Sequence, residues 1–319
     1  MTPIVFALPG NEALARGLAA QLSGKLGTAE IRRFPDGESY VRIATPVAGR
    51  QVLVVCTLDR PDDKFLPLTF FAATARDLGA ARVGLVCPYL GYMRQDKRFR
   101  PGEGVTSRYF AASLSRAFDW LVTIDPHLHR LSSLAEIYRV PTHVAHAAPL
   151  LSAWIRANVR DPLLIGPDSE SAQWVAAVAD GAGAPYTVLR KKRLGDRAVR
   201  VSPLPAGDRA RTPVLIDDIV STAQTMIETV GHLRRARYKP PVCVAVHAIF
   251  ADGAYESLVR AGAAQIVTCN TVPHPSNAID VGDLLAVMIG REVRGTRARA
   301  RSPAPRTRPR GRVDRTLSQ

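Results

Sequence analysis

The chain has 319 residues, 46% of them hydrophobic, with a formal net charge of +15. That length accommodates two domains of ordinary size, each burying its own core. No stretch approaches the roughly 18–20 apolar residues of a bilayer-spanning helix, and the opening MTPIVFALPG has no basic segment ahead of an apolar one, so a soluble cytoplasmic protein is expected.

The positive charge points first to nucleic acid, but it is unevenly placed. Residues 291–319 hold ten arginines against Glu292 and Asp314, which leaves +7 on the other 290 residues. An excess that small suits a binder of polyanionic small molecules equally well. The tail segment RGTRARARSPAPRTRPRGR offers nothing to bury, and disorder is expected over 291–319. Its charge is compatible with contact to nucleic acid, although no motif accompanies it.

In chain order, the pattern predicts a helix over 11–26, a strand over 51–56 (QVLVVC), a helix over 65–79 and a strand over 82–87 (RVGLVC). A helix over 105–118 and a strand over 119–125 (DWLVTID) follow. The second half repeats the series with strand 162–166 (PLLIG), helix 169–182, strand 212–218 (TPVLIDD), helix 222–237, strand 242–250 (VCVAVHAIF), helix 253–262 and strand 265–270 (QIVTCN). Short Val/Ile/Leu runs alternating with helices predict a parallel α/β architecture, with function at loops beyond the carboxyl ends of strands. The two comparable series imply two similar domains meeting near 141–150, around Pro141 and Pro149, taken as 1–145 and 146–290 with the tail at 291–319. Cys56, Cys87, Cys243 and Cys269 lie in or beside apolar runs without C-x-x-C spacing and read as reduced core residues.

Six segments carry candidate chemistry. FPDGE (34–38) has the residues of a tight turn, Pro35 fixing φ and Gly37 free to take positive φ. YMRQDKRFR (92–100) sets Arg94, Lys97, Arg98 and Arg100 around Gln95 and Asp96, a cluster suited to a polyphosphate and a purine edge or, more plainly, a solvated charge run. DPHLH (125–129) and GPDSES (166–171) end strands with His127, His129, Asp168 and Glu170, positions where a metal can be held. Mg²⁺ prefers oxygen ligands and keeps several waters, and no third ligand at suitable spacing supports zinc. RKKR (190–193) falls in a stretch without apolar periodicity and reads as a basic loop. VLIDDIVSTAQTM (214–226) is the most informative: a strand ends in Asp217 and Asp218, and a hydroxyl-rich loop from Ser221 through Thr222, Ala223 and Gln224 to Thr225 opens a helix. N–H groups at a helix start can hold a phosphate, while paired carboxylates accept hydrogen bonds from a vicinal diol. The plainer reading is an Asp pair that caps the helix.

Together with LPGN (8–11), RRFPDGESYVRI (32–43), CPYLGYMRQDKRFRPGE (87–103), TIDPHLH (123–129), GPDSESAQWV (166–175) and RKKRLGD (190–196), this last segment resembles the ribose-phosphate pyrophosphokinase family over about residues 5–285. PGE after RQDKRFR, ESAQW after GPD and the short K-x-R loop are similar to its class III branch. The resemblance implies two phosphoribosyltransferase-type domains, each a mostly parallel sheet flanked by helices. It implies transfer of the diphosphoryl group of ATP, with Mg²⁺, to ribose 5-phosphate. By resemblance Arg94, Gln95 and Asp96 contact ATP, and His127 and Asp168 lie near the metal–triphosphate. Lys191 and Arg193, or a register one residue on at Lys192, close over the transferred phosphates. Asp217 and Asp218 hold the sugar diol, and Ser221 to Thr225 its phosphate. Phe34, Asp36 and Glu38 would form the adenine pocket of a neighbouring subunit, which implies at least a dimer. Many relatives carry an acidic residue and glycines where this chain has Ser221, Ala223 and Gln224. A phosphoribosyltransferase and a catalytically silent regulatory relative are the competing readings.

Overall fold

The structure is a computed structural model describing residues 2–128, 130–167, 171–189, 191–193, 199–201 and 209–301. The first half runs β1 (Ile4–Ala7), α1 (Glu12–Gln21), β2 (Lys25–Leu26), β3 (Ala29–Arg33), β4 (Ser39–Ile43), β5 (Gln51–Val55), α2 (Pro61–Asp77), β6 (Arg82–Cys87), α3 (Thr106–Ala117), β7 (Trp120–Ile124) and β8 (Thr142–Ala145). The second runs α4 (Ala148–Asn158), β9 (Pro162–Gly166), α5 (Ala172–Ala182), β10 (Tyr186–Val188), β11 (Lys191–Arg193), β12 (Val199–Val201), β13 (Thr212–Val220), α6 (Gln224–Arg235), β14 (Val242–Ala248), α7 (Ala254–Ala261), β15 (Gln265–Cys269), β16 (Asn277–Ile279) and α8 (Gly282–Arg301).

Each half builds a six-stranded sheet, ordered β2-β1-β5-β6-β7-β8 and β10-β9-β13-β14-β15-β16. Every pairing within both sheets is parallel. Successive side chains of a strand face opposite sides, so a strand covered on both faces must be apolar throughout. Val52 and Val54 of β5 join Phe71 of α2 and Leu114 of α3 in one cluster, while Leu53 and Val55 join a second cluster on the other face. That second cluster is continuous between the two sheets: it takes residues from α1, α4, α5 and α8 together with Val214, Val244 and Val267. The layers are therefore α2/α3, first sheet, a shared helical layer, second sheet and α6/α7.

The shared layer is interlocked. α4 follows the first sheet but packs on α5, and α8 follows the second sheet but packs on α1, β7 and β8. Glu292 of α8 binds Arg82 of β6 at 3.0 Å and His143 of β8 at 3.0 Å. Helix ends follow local chemistry: Pro61 begins α2 at a position needing no N–H, and left-handed Gly183 and Gly262 end α5 and α7. Gly84 of β6 is required by its neighbour, since a Cβ there would lie 2.1 Å from the Trp120 indole. No helix among the described residues is long and apolar enough to cross a membrane.

Two expectations are corrected. The basic stretch expected as a loop forms β11, paired antiparallel with β12 in a two-stranded ribbon, because residues 199–201 (VRV) supply a partner of strand propensity. The tail expected to be disordered from 291 is helical through Arg301, since Glu292 and buried Val293 continue the packing of α8 against the first sheet. Helices α4 and α8 and the edge strands β2, β8 and β16 were not foreseen, whereas edge strand β10 falls in the YTVLR run expected as a strand.

Candidate active site

A cleft of about 700 Å³ opens where carboxyl ends of strands from both sheets converge. Arg94, Asp125, Pro126, His127, Leu128, Val144 and His146 come from the first half. Ser171, Gln173, Trp174, Asp217, Asp218 and Ile219 come from the second.

Asp217 and Asp218 lie near the end of β13, and the Asp218 N–H donates to its neighbour's Oδ1 at 3.0 Å. Across the cleft, His127 Nδ1 lies 2.8 Å from Asp218 Oδ2. Burial opposes ionisation of Asp218, but the bond and charge of His127, with the link to Asp217, prevail and hold its carboxyl well below the usual range. The two halves thus meet through a carboxylate that stays charged.

The Asp125 carboxylate is committed to the fold: Oδ1 is 2.8 Å from His146 Nδ1, and Oδ2 accepts from the Ala147 N–H at 2.8 Å. The hydrogen bond to Asp125 raises the His146 pKa, against the opposing effect of burial. Asp125 has φ +33°, a left-handed conformation that turns the chain sharply off the end of β7 and presents His127.

The loop after β13 leaves the sheet at Ser221, whose carbonyl accepts from Ala251 N–H, and turns into α6 through Ala223 at φ +56°. An alanine occupies this left-handed position at a cost of about 1–2 kcal/mol. Gln224 does not fill the loop: its side chain runs along α6 to Glu228 Oε1 at 3.0 Å. Ser221, Thr222, Ala223, Gln224 and Thr225 follow the cleft-lining residues Asp217, Asp218 and Ile219 but do not themselves line the cleft; the first N–H groups of a helix lack intrahelical partners and suit an anion.

Of the RQD cluster, Arg94 lines the cleft. The Gln95 amide oxygen accepts from Thr106 Oγ1 at 2.9 Å and fixes the loop to the start of α3. Asp96, nearly inaccessible, forms an ion pair with Arg130 at 3.0 Å. The Glu103 carboxylate accepts from the N–H groups of Phe99 and Arg100, which explains the PGE motif as a brace for the basic loop. Phe34, Asp36 and Glu38 form the tip of the β3–β4 ribbon, where Phe34 N–H bonds to Glu38 O and Gly37 takes φ +93°. None of the three lines this cleft, and Phe34 is exposed. Asp168, His129 and Glu170 lie outside the described residues; Lys191 and Arg193 are described in backbone only.

Sequence reasoning missed His146, Gln173, Trp174 and the structural role of Asp125. His146 follows directly on β8, and a histidine at a parallel strand's carboxyl end is a signal that could have found it. Trp174 lay inside the quoted ESAQW segment without an assigned part.

Two parallel sheets, one of which ends in a carboxylate pair followed by a helix-opening hydroxyl loop, define a phosphoribosyltransferase-type protein. Residues 3–117 match the model described as the N-terminal domain of ribose phosphate pyrophosphokinase, and residues 133–284 match the phosphoribosyl transferase domain. The ribose-phosphate pyrophosphokinase of Methanopyrus kandleri is 34% identical over 286 residues, covering 89% of this chain and 97% of that protein. That of Sulfurisphaera tokodaii is 31% identical over 285 residues, covering 88% and 97%. The crystal structure of phosphoribosylpyrophosphate synthetase from Mycobacterium smegmatis superposes with TM-score 0.81 at 25% identity, covering 92% of this chain and all of that one. The chain belongs to the ribose-phosphate pyrophosphokinase family.

Proposed function

We propose that this protein transfers the diphosphoryl group of MgATP to the anomeric hydroxyl of ribose 5-phosphate, giving phosphoribosyl pyrophosphate and AMP. The observation that carries the reading is the cleft itself. It sets a sugar-type carboxylate pair, Asp217 and Asp218, against a triphosphate-type pair, Arg94 and His127, from the other half. A phosphoribosyltransferase has no need of the second set.

In this reading the start of α6, with Ser221, Thr222, Ala223, Gln224 and Thr225, binds the 5-phosphate, and the ionised aspartates accept from the ribose diol. Arg94 holds the polyphosphate, with Gln95 fixing its loop. The ion pair with Arg130 gives Asp96 a supporting role in keeping that loop in place. Lys191 and Arg193, on the β11–β12 ribbon, supply positive charge to the transferred group, and Phe34, Asp36 and Glu38 serve the adenine of a neighbouring subunit.

Among the described residues no group of three or more His, Cys, Asp or Glu is placed to hold a metal alone. Mg²⁺ arrives on phosphate oxygens, retains waters and takes only one or two protein ligands. His127 and Asp168 are the residues that would meet it, and Mg²⁺ would offset the phosphate charge. The protein's own contribution is to hold sugar and triphosphate in line and to place charge where it develops.

The test uses purified protein with ribose 5-phosphate, Mg²⁺ and ATP labelled separately at the β and γ phosphates. Release of AMP with both labels on the sugar supports the reading; ADP with the γ label on the sugar overturns it.

A further inference from the structure

β14 is apolar along its length except for His247, which is completely buried. A fully buried imidazole in an otherwise apolar strand is retained for the bonds it makes. Its Nε2 lies 3.2 Å from the carbonyl oxygen of Asp125, in the other half of the chain, and its Nδ1 lies 2.9 Å from Thr271 Oγ1. The Tyr89 ring, also from the first half, packs edge-on against it at 4.9 Å.

The proton positions follow from the partners. A carbonyl only accepts, so Nε2 carries a proton. Burial disfavours a second one, lowering the ring's pKa although Asp125 and Asp218 act against it. The Thr271 hydroxyl, 2.9 Å from both Nδ1 and the Val246 carbonyl, has one proton for the two, so the tautomer is set by the Asp125 carbonyl on the other side of the ring. The chain of bonds continues across the domain junction: Thr57 Oγ1 donates to the Thr271 carbonyl at 2.7 Å, and Thr57 N–H donates to Asn11 Oδ1 at 2.9 Å. Asn11 of the LPGN segment thereby acquires a role.

These bonds close a circuit around the site. His247 pairs in register with Ile219, the residue after Asp218. It holds the carbonyl of Asp125, two residues before His127, and His127 returns to Asp218 at 2.8 Å. We propose that His247 is a positioning residue for the transfer reaction, locking the His127 loop of the first half to the Asp217–Asp218 strand of the second through a neutral, Nε2-protonated ring bonded to the Asp125 carbonyl. The proposal rests on the reaction assigned above, and its first test is independent of turnover.

Ring-nitrogen NMR of the full chain, with the His247 signal assigned by its loss in His247→Gln, is expected to show a neutral Nε2–H tautomer that does not titrate between about pH 6 and 8. An Nδ1–H tautomer overturns the proposal even if the assigned reaction is wrong. The second test is a set of substitutions. Gln places an amide N–H near the Nε2 position, Asn does not reach it, and Phe keeps the volume without a donor. Misplacement of about 1 Å costs on the order of 10²-fold in rate. His247→Phe and His247→Asn should therefore lose roughly 10²-fold in kcat, with separate calorimetric Kd values for ATP and ribose 5-phosphate changed little, and His247→Gln should recover most of the loss. Equal kcat for Gln and Asn, or a loss lying wholly in the two Kd values, overturns it. If His247→Phe does not fold, Thr271→Val removes the hydroxyl on the other side of the ring. It should lower kcat in the same direction, and normal kcat in that folded variant counts against the proposal.

Discussion

Asp218→Asn should separate the two proposed substrates. The carboxylate spans the halves through a 2.8 Å bond to His127, and its side chain is 29% exposed. Asparagine keeps an acceptor oxygen but not the charge. A charge-assisted hydrogen bond contributes about 1.5–3 kcal/mol and a neutral one about half of that, so the junction should weaken by about 1 kcal/mol. The sugar loses more, because its diol would donate to a neutral amide in place of one of two carboxylates. A loss of about 1.4–2.8 kcal/mol corresponds to a rise of about 10- to 100-fold in Kd for ribose 5-phosphate. ATP, proposed to meet Arg94, should bind within about threefold of the parent by the same conversion. Titration calorimetry with each substrate alone, on protein shown to be folded, measures both numbers. The pH course adds a check. Asp218 is depressed in the folded state, so its stabilisation is present above the ordinary aspartate pKa and lost as pH falls toward the lowered value. The Tm difference between parent and variant should persist from about pH 7 to 5 and shrink below about pH 4. Equal weakening of both substrates, or a Tm gap that widens in acid, refutes the assignment.

Lys191→Ala and Arg193→Ala should each lower kcat by about 10²-fold with smaller changes in KM, while Lys192→Ala is mild; severe loss at Lys192 alone shifts the register by one. Removing 302–319 should leave turnover nearly unchanged while reducing salt-sensitive binding to RNA, as measured by steady-state rates and a salt titration. Cutting at 291 should instead lower Tm, because Glu292 holds Arg82 and His143. Mixing an inactive Phe34→Ala, Glu38→Ala double variant with inactive Asp218→Asn protein should restore activity if subunits share sites, and absence of recovery despite proven exchange places the pocket in one chain. Gly84→Ala should cost about 1–3 kcal/mol by forcing a methyl against Trp120, a fall of several degrees in a thermal melt.

The apolar runs of β5, β6, β7, β9, β13 and β14 were legible because strands buried on both faces leave little room for polar residues. The Asp217–Asp218 strand end was legible for the opposite reason, since two adjacent carboxylates in such a strand need a ligand or a cap. What escaped depends on long-range partners. The placement of α8 rests on Glu292 meeting Arg82 and His143, some 150 to 210 residues away in sequence. The commitment of Asp96 to Arg130 and of Asp125 to His146 likewise reads, in one dimension, as available charge. The KKR strand exists through its cross-strand neighbours Val199 and Val201, and no local periodicity announces it.

The fold is built twice, but among the described residues the two halves differ at their strand ends. Numbered within its own half, each sheet orders its strands second, first, third, fourth, fifth, sixth, and each half inserts an antiparallel ribbon between its second and third strands. The ribbon carrying FPDGE and the ribbon carrying KKR thus occupy equivalent places. The strand ends do not match. The third strand of the second half carries Asp217 and Asp218 near its end, whereas its counterpart β5 leads into buried Cys56 and Thr57, the thiol pushed up to about 12 by burial. The fifth strand of the first half leads into Asp125 and His127, whereas its counterpart β15 leads through Cys269 to Thr271, a residue engaged with Thr57 and His247. In the cleft the third strand of the second half meets the fifth of the first, and the exchange of α4 and α8 across the shared helical layer holds that pairing in place.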